Sequence, residues 1–193
     1  GYGGEFVNRA VAEVLTGKVN PSGKLTETFP LSLEDVPSEN AYRDEAVMVY
    51  SEGLNVGYRY FDSFDVPVLF PFGFGLSYSE FRYGNLTVGK DGENIKVRFE
   101  IENVSDVDGK EAAQLYVREI TKEVYRPYQE LKAFKKVFVK AREKAAVEFV
   151  LDRSAFAYYS VAKDRWTVKP GVFEIRVGAS VSDIRLTKKI VLN

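Results

Sequence analysis

The sequence contains no cysteine and no histidine among its 193 residues. These absences exclude disulfides, zinc sites of the Cys/His kind, thiol nucleophiles and every triad that uses imidazole as its base. Any catalysis by this chain would therefore use carboxylates, tyrosine, lysine or arginine. A Gly-rich phosphate loop is also missing, because the glycines of residues 1–4 follow no strand and precede no Gly-Lys-Ser/Thr signature. We expect no cofactor and no metal.

The sequence also lacks an excess of charge and long apolar runs. Its formal net charge is −1, whereas binding to nucleic acid or to anionic membranes needs a clustered basic excess. No apolar run approaches the roughly 20 residues of a membrane span, and residues 1–15 lack the basic region and apolar core of a signal peptide. We expect no nucleic-acid or membrane partner, and the compartment, cytoplasmic or secreted, stays open.

The first residues predict one amphipathic helix. An apolar stripe at helical spacing consists of Val7, Ala10, Val11, Val14 and Leu15. Gly17 and Pro21 follow where a helix would end. A short helix cannot bury its stripe alone, so we expect its packing partner to lie in a part of the domain outside this sequence. Residues 20–50 then predict loops and turns, with one short strand at 25–29.

Two aromatic segments follow. In residues 50–62, tyrosines and a phenylalanine lie among charged side chains and two glycines. This pattern has two interpretations: a buried aromatic patch with a structural Arg–carboxylate pair, or one wall of a sugar-binding cleft. The second interpretation would make Tyr50, Glu52, Tyr58 and Arg59 the substrate-binding candidates. In residues 71–81, large rings alternate with Gly73 and Gly75, which predicts a packed crossing between two structural units.

The second half of the chain changes to a period of two. In residues 95–101, apolar and charged side chains alternate, as on a half-buried antiparallel strand. Further strands are predicted at residues 113–117, 131–139, 145–151, 172–177 and 184–192, with a bulge near Lys135-Lys136 and turns at Asp91-Gly92, Asp108-Gly109, Pro170-Gly171 and 180–183. About seven short strands predict an immunoglobulin-like or fibronectin type III-like sandwich that begins near residues 84–86.

Several groups in this half could carry chemistry. Residues 106–109 resemble the start of a calcium loop, but the later oxygen ligands are missing, so a hairpin turn is predicted there. Asn85 and Asn103 begin glycosylation patterns, which matter only in a secreted eukaryotic protein. The aromatic residues Tyr125, Tyr128, Tyr158, Tyr159 and Trp166 could stack on sugars if they shared one flat face.

Six blocks of the sequence together resemble a known family. They are residues 11–30, 50–62, 71–81, 103–117, 126–137 and 170–180. In this order they are similar to the C-terminal part of a glycoside hydrolase family 3 enzyme, of the β-glucosidase and β-xylosidase group. The resemblance implies a mainly β chain in which residues 1–84 are the C-terminal piece of the family's α/β sandwich domain. Residues 85–193 would be its fibronectin type III-like, antiparallel β-sandwich domain.

The resemblance also implies a function. In this family a barrel domain supplies an Asp nucleophile, and an earlier part of the sandwich domain supplies a Glu acid/base, for a retaining mechanism. Neither motif has a counterpart here, so no catalytic residue is transferred, and the chain is expected to be a non-catalytic support. Its partners would be the missing barrel and the remainder of the sandwich domain, on the same polypeptide or on a second chain. The carbohydrate substrate would bind through that parent enzyme.

The sequence departs from the family at three places, and two alternatives remain. The family often has His at Phe74, Pro at Thr26 and Pro-Gly-Glu at residues 141–143. The last departure leaves the turn type open, whereas Phe74 can fill the space of a histidine. The alternatives are a carbohydrate-binding module that uses the tyrosines and Trp166, and an assembly element that buries its apolar helix against a partner chain.

Overall fold

The structure of the chain, a computed structural model, describes residues 4–39, 47, 49–121 and 123–193. In chain order its elements are α1 (Val7–Leu15), β1 (Phe29–Pro30), α2 (Tyr58–Ser63), β2 (Val68–Phe70), β3 (Phe81–Asp91), β4 (Asn94–Asn103), β5 (Gly109–Glu119), β6 (Glu130–Val139), β7 (Lys144–Leu151), β8 (Tyr158–Ser160), β9 (Arg165–Thr167), β10 (Gly171–Gly178) and β11 (Ile184–Leu192). Short 3-10 helical turns occur at Leu33–Asp35, Arg153–Phe156 and Val161–Lys163. Neither α-helix in these ranges has the length and apolar character that crossing a membrane would require.

Seven strands form the predicted sandwich of two antiparallel sheets. The strand orders are β11-β10-β5-β6 in one sheet and β3-β4-β7 in the other. The alternation predicted for β4 is confirmed, since Ile95, Val97, Phe99 and Ile101 are all at most 6% exposed. Strand β5 does not alternate: every residue from 111 to 117 is at most 8% exposed. Its inward face packs in the sandwich core, and its outward face is covered by residues that precede the sandwich.

The bulge of β6 lies three residues before its predicted position. Leu115 and Tyr116 on β5 pair with Ala133 and Leu131, so Lys132 is the extra residue. The prediction at Lys135-Lys136 is wrong, because those residues pair in register with β5. The alternation only appears to slip there because two apolar residues of β6 face outward: Phe134 and Phe138 are 73% and 52% exposed.

The Asp-Gly turn at residues 106–109 is not a hairpin, contrary to prediction. Strand β4 belongs to the three-stranded sheet and β5 to the four-stranded sheet, so this connection passes from one sheet to the other. Asn103, fully buried, holds the connection: its Nδ2 donates to the carbonyls of Val107 at 2.8 Å and Val139 at 3.1 Å, and its Oδ1 accepts from the Ser105 amide at 3.0 Å. The second glycosylation pattern is therefore inaccessible in the folded chain.

The segment before the sandwich differs more from its prediction. Helix α1 has the predicted stripe, and Gly17 follows it with φ +74°. The strand expected at 25–29 is instead the two-residue β1, which pairs with β2. Helix α2 was not predicted, since its aromatic residues and the adjacent Gly57 favour other structures. Residues 40–46 and 48 of the predicted loop lie outside the described residues.

The proposed division at residue 84 falls inside β3. This strand begins at Phe81, and Phe81 and Tyr83 already belong to the buried cluster of the sandwich. The boundary at 84/85 stays a prediction.

Candidate functional site

The crossing, residues 71–81, packs closely against the sandwich at Gly73 and against the N-terminal segment at Gly75. Gly73 has φ +80°, and a Cβ atom on it would lie 2.1 Å from Gln114 Oε1. A Cβ on Gly75 would lie 2.2 Å from the carbonyl oxygen of Gly23. The Gln114 side chain, on β5, donates from Nε2 to the carbonyls of Gly73 at 3.1 Å and Ala179 at 2.7 Å. The predicted packed crossing therefore exists, and Gln114 ties it to the four-stranded sheet.

We call the surrounding contact region the seam. It comprises Leu25, Thr28, 58–62 and 72–75 of the N-terminal segment, and Gln114, Tyr116, 129–132, Arg176 and Val181 of the sandwich.

Tyr58 is an aromatic anchor of the seam. Its hydroxyl oxygen accepts a hydrogen bond from the backbone amide of Leu131 at 2.8 Å. Its ring stacks on Phe72 with centroids 4.7 Å apart and meets Tyr116 edge-on at 6.2 Å. Burial raises the pKa of the Tyr58 hydroxyl. The residue therefore packs α2 against β6 and β5 at the same time.

Arg59 joins a compact ionic cluster around Glu130. Glu130 lies 3.5 Å from Arg59, 2.8 Å from Arg126 and 3.5 Å from Lys132. Arg126 also approaches Glu119 at 3.6 Å. Burial alone would raise the pKa of Glu130, but the Arg126 hydrogen bond and the neighbouring positive charges hold it below its usual value. The structural Arg–carboxylate pair predicted for residues 50–62 thus forms with a partner on the sandwich.

A second polar network is centred on Gln129, next to Asp62. Burial raises the pKa of the Asp62 carboxyl, although the neighbouring Gln129 side chain and the charges of Arg176 and Arg118 act in the opposite direction. Gln129, 1% exposed, accepts from Arg176 Nε at 2.8 Å and donates to the Val181 carbonyl at 3.0 Å. Arg176 in turn lies 2.6 Å from Glu174. This network connects α2 with strand β10 and the β10–β11 turn.

Besides a cavity of about 390 Å³ that is lined by seam residues such as Leu25, Phe72 and Gln114, three further cavities adjoin the seam. One of about 440 Å³ is lined by Ser63, Phe64, Val124, Pro127 and others, including Arg118, Tyr125 and Tyr128. A second, of about 570 Å³, is lined by residues that include Lys24, Phe74, Glu111, Asp183 and Arg185. The third, of about 100 Å³, is lined by residues that include Thr28, Asp62, Asp65 and Ser182.

These cavities limit what the carboxylates can do. Glu111 accepts from the Tyr83 hydroxyl at 2.9 Å and lies 3.5 Å from Lys24, so it serves a buried contact. Asp62 faces only about 100 Å³, well below the roughly 300–1,000 Å³ of ligand pockets. Within the described ranges, no group of three Asp, Glu, His or Cys residues could hold a metal ion.

The structure separates the four substrate-binding candidates. Tyr58 and Arg59 lie in the seam and contact residues 130 and 131. Tyr50 is 86% exposed, and Glu52 lies in a turn in which its carbonyl accepts from the Asn55 amide at 2.9 Å. A sugar-binding role for these residues stays a prediction. The sequence pattern predicts no role for the seam's two glutamines. The only signal of one is the position of Gln114 within an apolar run of β5.

Four of the five aromatic residues form two pairs, and the fifth, Tyr158, has Lys169 Nζ at 5.8 Å from its ring centroid. Tyr125 and Tyr128 line the cavity of about 440 Å³. Tyr159 and Trp166 lie on the β8–β9 hairpin, edge to face with centroids 5.8 Å apart, and Trp166 is 71% exposed. The structure therefore brings together two separate pairs.

Comparison with known proteins agrees with this architecture. Residues 1–78 match the family described as "Glycosyl hydrolase family 3 C-terminal domain", and residues 111–181 match "Fibronectin type III-like domain". The thermostable beta-glucosidase B of Acetivibrio thermocellus is 45% identical over 99% of this chain and 26% of its own length. An exo-alpha-(1->6)-L-arabinopyranosidase of Bifidobacterium breve is 42% identical over 98% of this chain and 25% of its own length.

Solved structures show the same likeness in three dimensions. A GH3 beta-glucosidase of Bifidobacterium adolescentis matches with a TM-score of 0.92 and 44% identity, over 95% of this chain and 28% of that one. The beta-glucosidase 3B of Thermotoga neapolitana, in complex with alpha-D-glucose, matches with a TM-score of 0.91 and 39% identity, over 97% of this chain and 27% of that one.

The family models and the solved structures agree on one architecture, in which a fibronectin type III-like sandwich follows a glycosyl hydrolase family 3 C-terminal segment. The chain belongs to glycoside hydrolase family 3 and corresponds to the C-terminal region of its β-glucosidases. It spans about a quarter of the length of the curated relatives that it matches.

Proposed function

We propose that this chain is a non-catalytic supporting part of a β-glycosidase, most specifically a β-glucosidase that hydrolyses terminal non-reducing β-glycosyl residues. In such a retaining enzyme one carboxylate forms a covalent glycosyl-enzyme, which water then hydrolyses with help from a second carboxyl group. The names of the relatives from A. thermocellus and Bacteroides ovatus support β-glucosidase activity. The arabinopyranosidase relative indicates that this C-terminal architecture accompanies more than one sugar specificity.

The proposal assigns residues 1–84 to the α/β sandwich domain and residues 85–193 to the fibronectin type III-like domain. Its partners are the catalytic barrel and the remainder of the α/β sandwich domain, on the same polypeptide or on a second chain. The substrate reaches the protein through that catalytic part.

The apolar face of α1 is the observation that carries the proposal. No residue of this fully described helix is buried, and Phe6, Val11 and Leu15 are 69%, 50% and 75% exposed. Further exposed apolar residues of the same segment are Phe29, Leu31, Leu33, Leu54, Val56, Phe64, Leu69, Phe70 and Leu76. An exposed apolar helix stripe of this kind, accompanied by many other exposed apolar side chains, marks an interface. The sandwich covers one side of the segment, so the remainder of the α/β domain is the natural partner for the other.

A matched pair of substitutions in the full-length protein tests this interface. Val11→Asp places a charge on the stripe, and Ala12→Asp places the same charge on another face of α1. If the stripe is covered, Val11→Asp should destabilise the enzyme by about 2–3 kcal/mol, whereas Ala12→Asp should cost only about 0.5 kcal/mol of helix propensity. The measurement is residual hydrolysis of an aryl β-glucoside after a heat challenge. Equal losses from the two variants would contradict a covered stripe.

The non-catalytic role has its own test. The purified isolated chain should show no turnover of the same aryl β-glucoside, while the full-length protein hydrolyses it. Turnover that stays with the isolated chain through successive purification steps would refute the supporting role.

A further inference from the structure

Strand β6 exposes two phenylalanines on the outward face of the four-stranded sheet. Phe134 and Phe138 are 73% and 52% exposed, and Lys136 lies between them on the same face of the strand. The neighbouring strand β5 is buried from residue 111 to residue 117, so the exposed apolar surface of this face is concentrated on β6. We call residues 134, 136 and 138 the β6 strip.

One end of the β6 strip forms a wall of an apolar groove. Phe134 and Lys136 line the cavity of about 390 Å³ together with the seam residues Leu25, Phe72 and Leu131 and others, and its surface is mainly apolar. Its volume lies within the roughly 300–1,000 Å³ of ligand pockets. Because the N-terminal segment and the sandwich both contribute to the wall, an apolar side chain in this groove would contact both of them at once.

The charge beside these phenylalanines has one sign. Lys110 on β5 pairs with Phe138 in the register of the sheet, and Lys136 pairs with Ala112. The outward positions from 110 to 114 on β5 and from 134 to 138 on β6 contain these two lysines and no carboxylate. Within the described part of the chain, neither lysine forms an ion pair.

The outward face of the three-stranded sheet is different, because its charges balance one another. Arg98 pairs with Glu148 there, and Lys144 lies 3.9 Å from Glu102. Its exposed apolar residue, Val150 on β7, is 52% exposed and lies opposite Lys96 in the register of the sheet. A face whose charges are paired within the chain suits solvent, whereas the β6 strip combines apolar surface with positive charges that lack carboxylates.

We propose that the groove and the β6 strip bind an acidic segment of the parent enzyme that lies outside residues 1–193. This segment inserts an apolar side chain into the groove beside Phe134 and places a carboxylate next to Lys136. Complementary charges of this kind fix the register of an interface. The chain spans about a quarter of the length of its curated relatives, so the parent enzyme has ample polypeptide to supply the segment. The inference rests on the proposed function only in that the occupant belongs to the parent enzyme.

Photochemical cross-linking in the full-length protein identifies the occupant. Phe134→p-benzoylphenylalanine keeps an aromatic side chain on the β6 strip, and irradiation should join it to a peptide from outside residues 1–193 that has Asp or Glu close to the cross-link. Val150→p-benzoylphenylalanine, on the outward face of the other sheet, is the matched control and should give no such product. Products confined to residues 1–193, in the same copy or in a second one, would overturn the proposal. The absence of any product, or a cross-linked segment without acidic residues, would do the same.

Charge reversal in the full-length protein tests the carboxylate independently. Lys136→Glu should raise the rate of thermal unfolding, followed by circular dichroism, about three- to tenfold, because it places like charges together. Salt at roughly 0.5 M should reduce this difference to less than about twofold by screening the charges. Lys90→Glu, the same change at an exposed lysine of β3, is the matched control, and an equal effect from it would refute the charge pairing. Neither readout uses glycoside hydrolysis, so a parent protein without β-glucosidase activity would overturn the proposed function and leave this test intact.

Discussion

Replacing Gly73 by alanine probes the contact between the crossing and strand β5 more directly than any other single change. Gly73 has φ +80°, and an added Cβ would lie 2.1 Å from Gln114 Oε1 and 2.7 Å from Gln114 Nε2. The alanine side chain cannot avoid this contact without moving the backbone or expelling the Gln114 side chain. Both responses disturb hydrogen bonds that are buried in the seam.

The expected cost follows from two contributions. An alanine forced into the left-handed region costs about 1–2 kcal/mol. Expelling Gln114, 4% exposed, leaves the carbonyls of Gly73 and Ala179 and the hydroxyl of Tyr116 without their partner. Each buried group left unpaired costs about 1–3 kcal/mol, and partial relaxation reduces the sum. We therefore expect Gly73→Ala to destabilise the protein by about 3–5 kcal/mol, a large part of the usual stability of a domain.

Urea unfolding followed by far-ultraviolet circular dichroism measures this cost, and Gly89→Ala is its matched control. Gly89 lies on β3, has no positive φ, and has no atom within 4 Å of an added Cβ. The control should change the free energy of unfolding by less than about 1 kcal/mol, in the stabilising direction if it changes at all. If the free energy of unfolding of Gly73→Ala lies within about 0.5 kcal/mol of that of the control, the close contact between Gly73 and Gln114 is refuted.

Three further predictions concern the ionic cluster, the connection between the sheets and the exposed hairpin. Glu130→Gln should cost about 2–4 kcal/mol at neutral pH, because Arg126 and Lys132 remain buried without a shared carboxylate. Since folding lowers the pKa of Glu130, the wild-type advantage should be fully present above the ordinary value of about 4.5 and be lost as the pH falls from there through the lower pKa of the folded state. Urea titrations from about pH 3 to 7 that show a pH-independent gap would contradict this. Asn103→Ala should cost about 2–3 kcal/mol in the same assay, since it removes three hydrogen bonds made by a fully buried side chain, and a loss as small as that of an exposed Asn8→Ala control would refute the role of Asn103. Acrylamide should quench the fluorescence of Trp166, the single tryptophan, in the isolated chain about as efficiently as that of a free tryptophan analogue, and Trp166→Ala should cost no more than about 1 kcal/mol; a protected emission would show that the hairpin packs against something.

The strands of the sandwich can be predicted where one face is buried and the other is exposed to solvent. In β4, four apolar residues alternate with charged ones, so residues 95–101 indicate both the strand and its buried face. Strand β3 gave a weaker signal, because only Phe81 and Tyr83 continue into the core before Gly84 and Asn85 interrupt the pattern. A local pattern also cannot reveal which sheet receives the next strand. For that reason the turn after Asn103 was predicted as a hairpin although it connects the two sheets.

The seam could not be predicted because its contacts join residues distant in sequence. The hydroxyl of Tyr58 meets the amide of Leu131, 73 residues away. Arg59 had two carboxylates nearby in its own segment, yet its partner is Glu130. Helix α2 has only six residues, too few to be stable by propensity alone, and these tertiary contacts hold it. The sequence pattern indicates the right segments but not their partners.

The two sides of the N-terminal segment differ in chemistry, and this difference explains how a chain without a transferable catalytic residue would serve a glycosidase. Toward the sandwich, the segment presents glycines, Tyr58 and Arg59, whose contacts with Leu131 and Glu130 fix one orientation. On the other side it presents the broad apolar face of α1, which binds by area and specifies orientation only weakly. The sandwich would therefore hold the segment in one position, and the apolar face would carry that position to the catalytic part. On this argument, a substitution at Gln129 should alter the alignment of the catalytic part without touching the substrate.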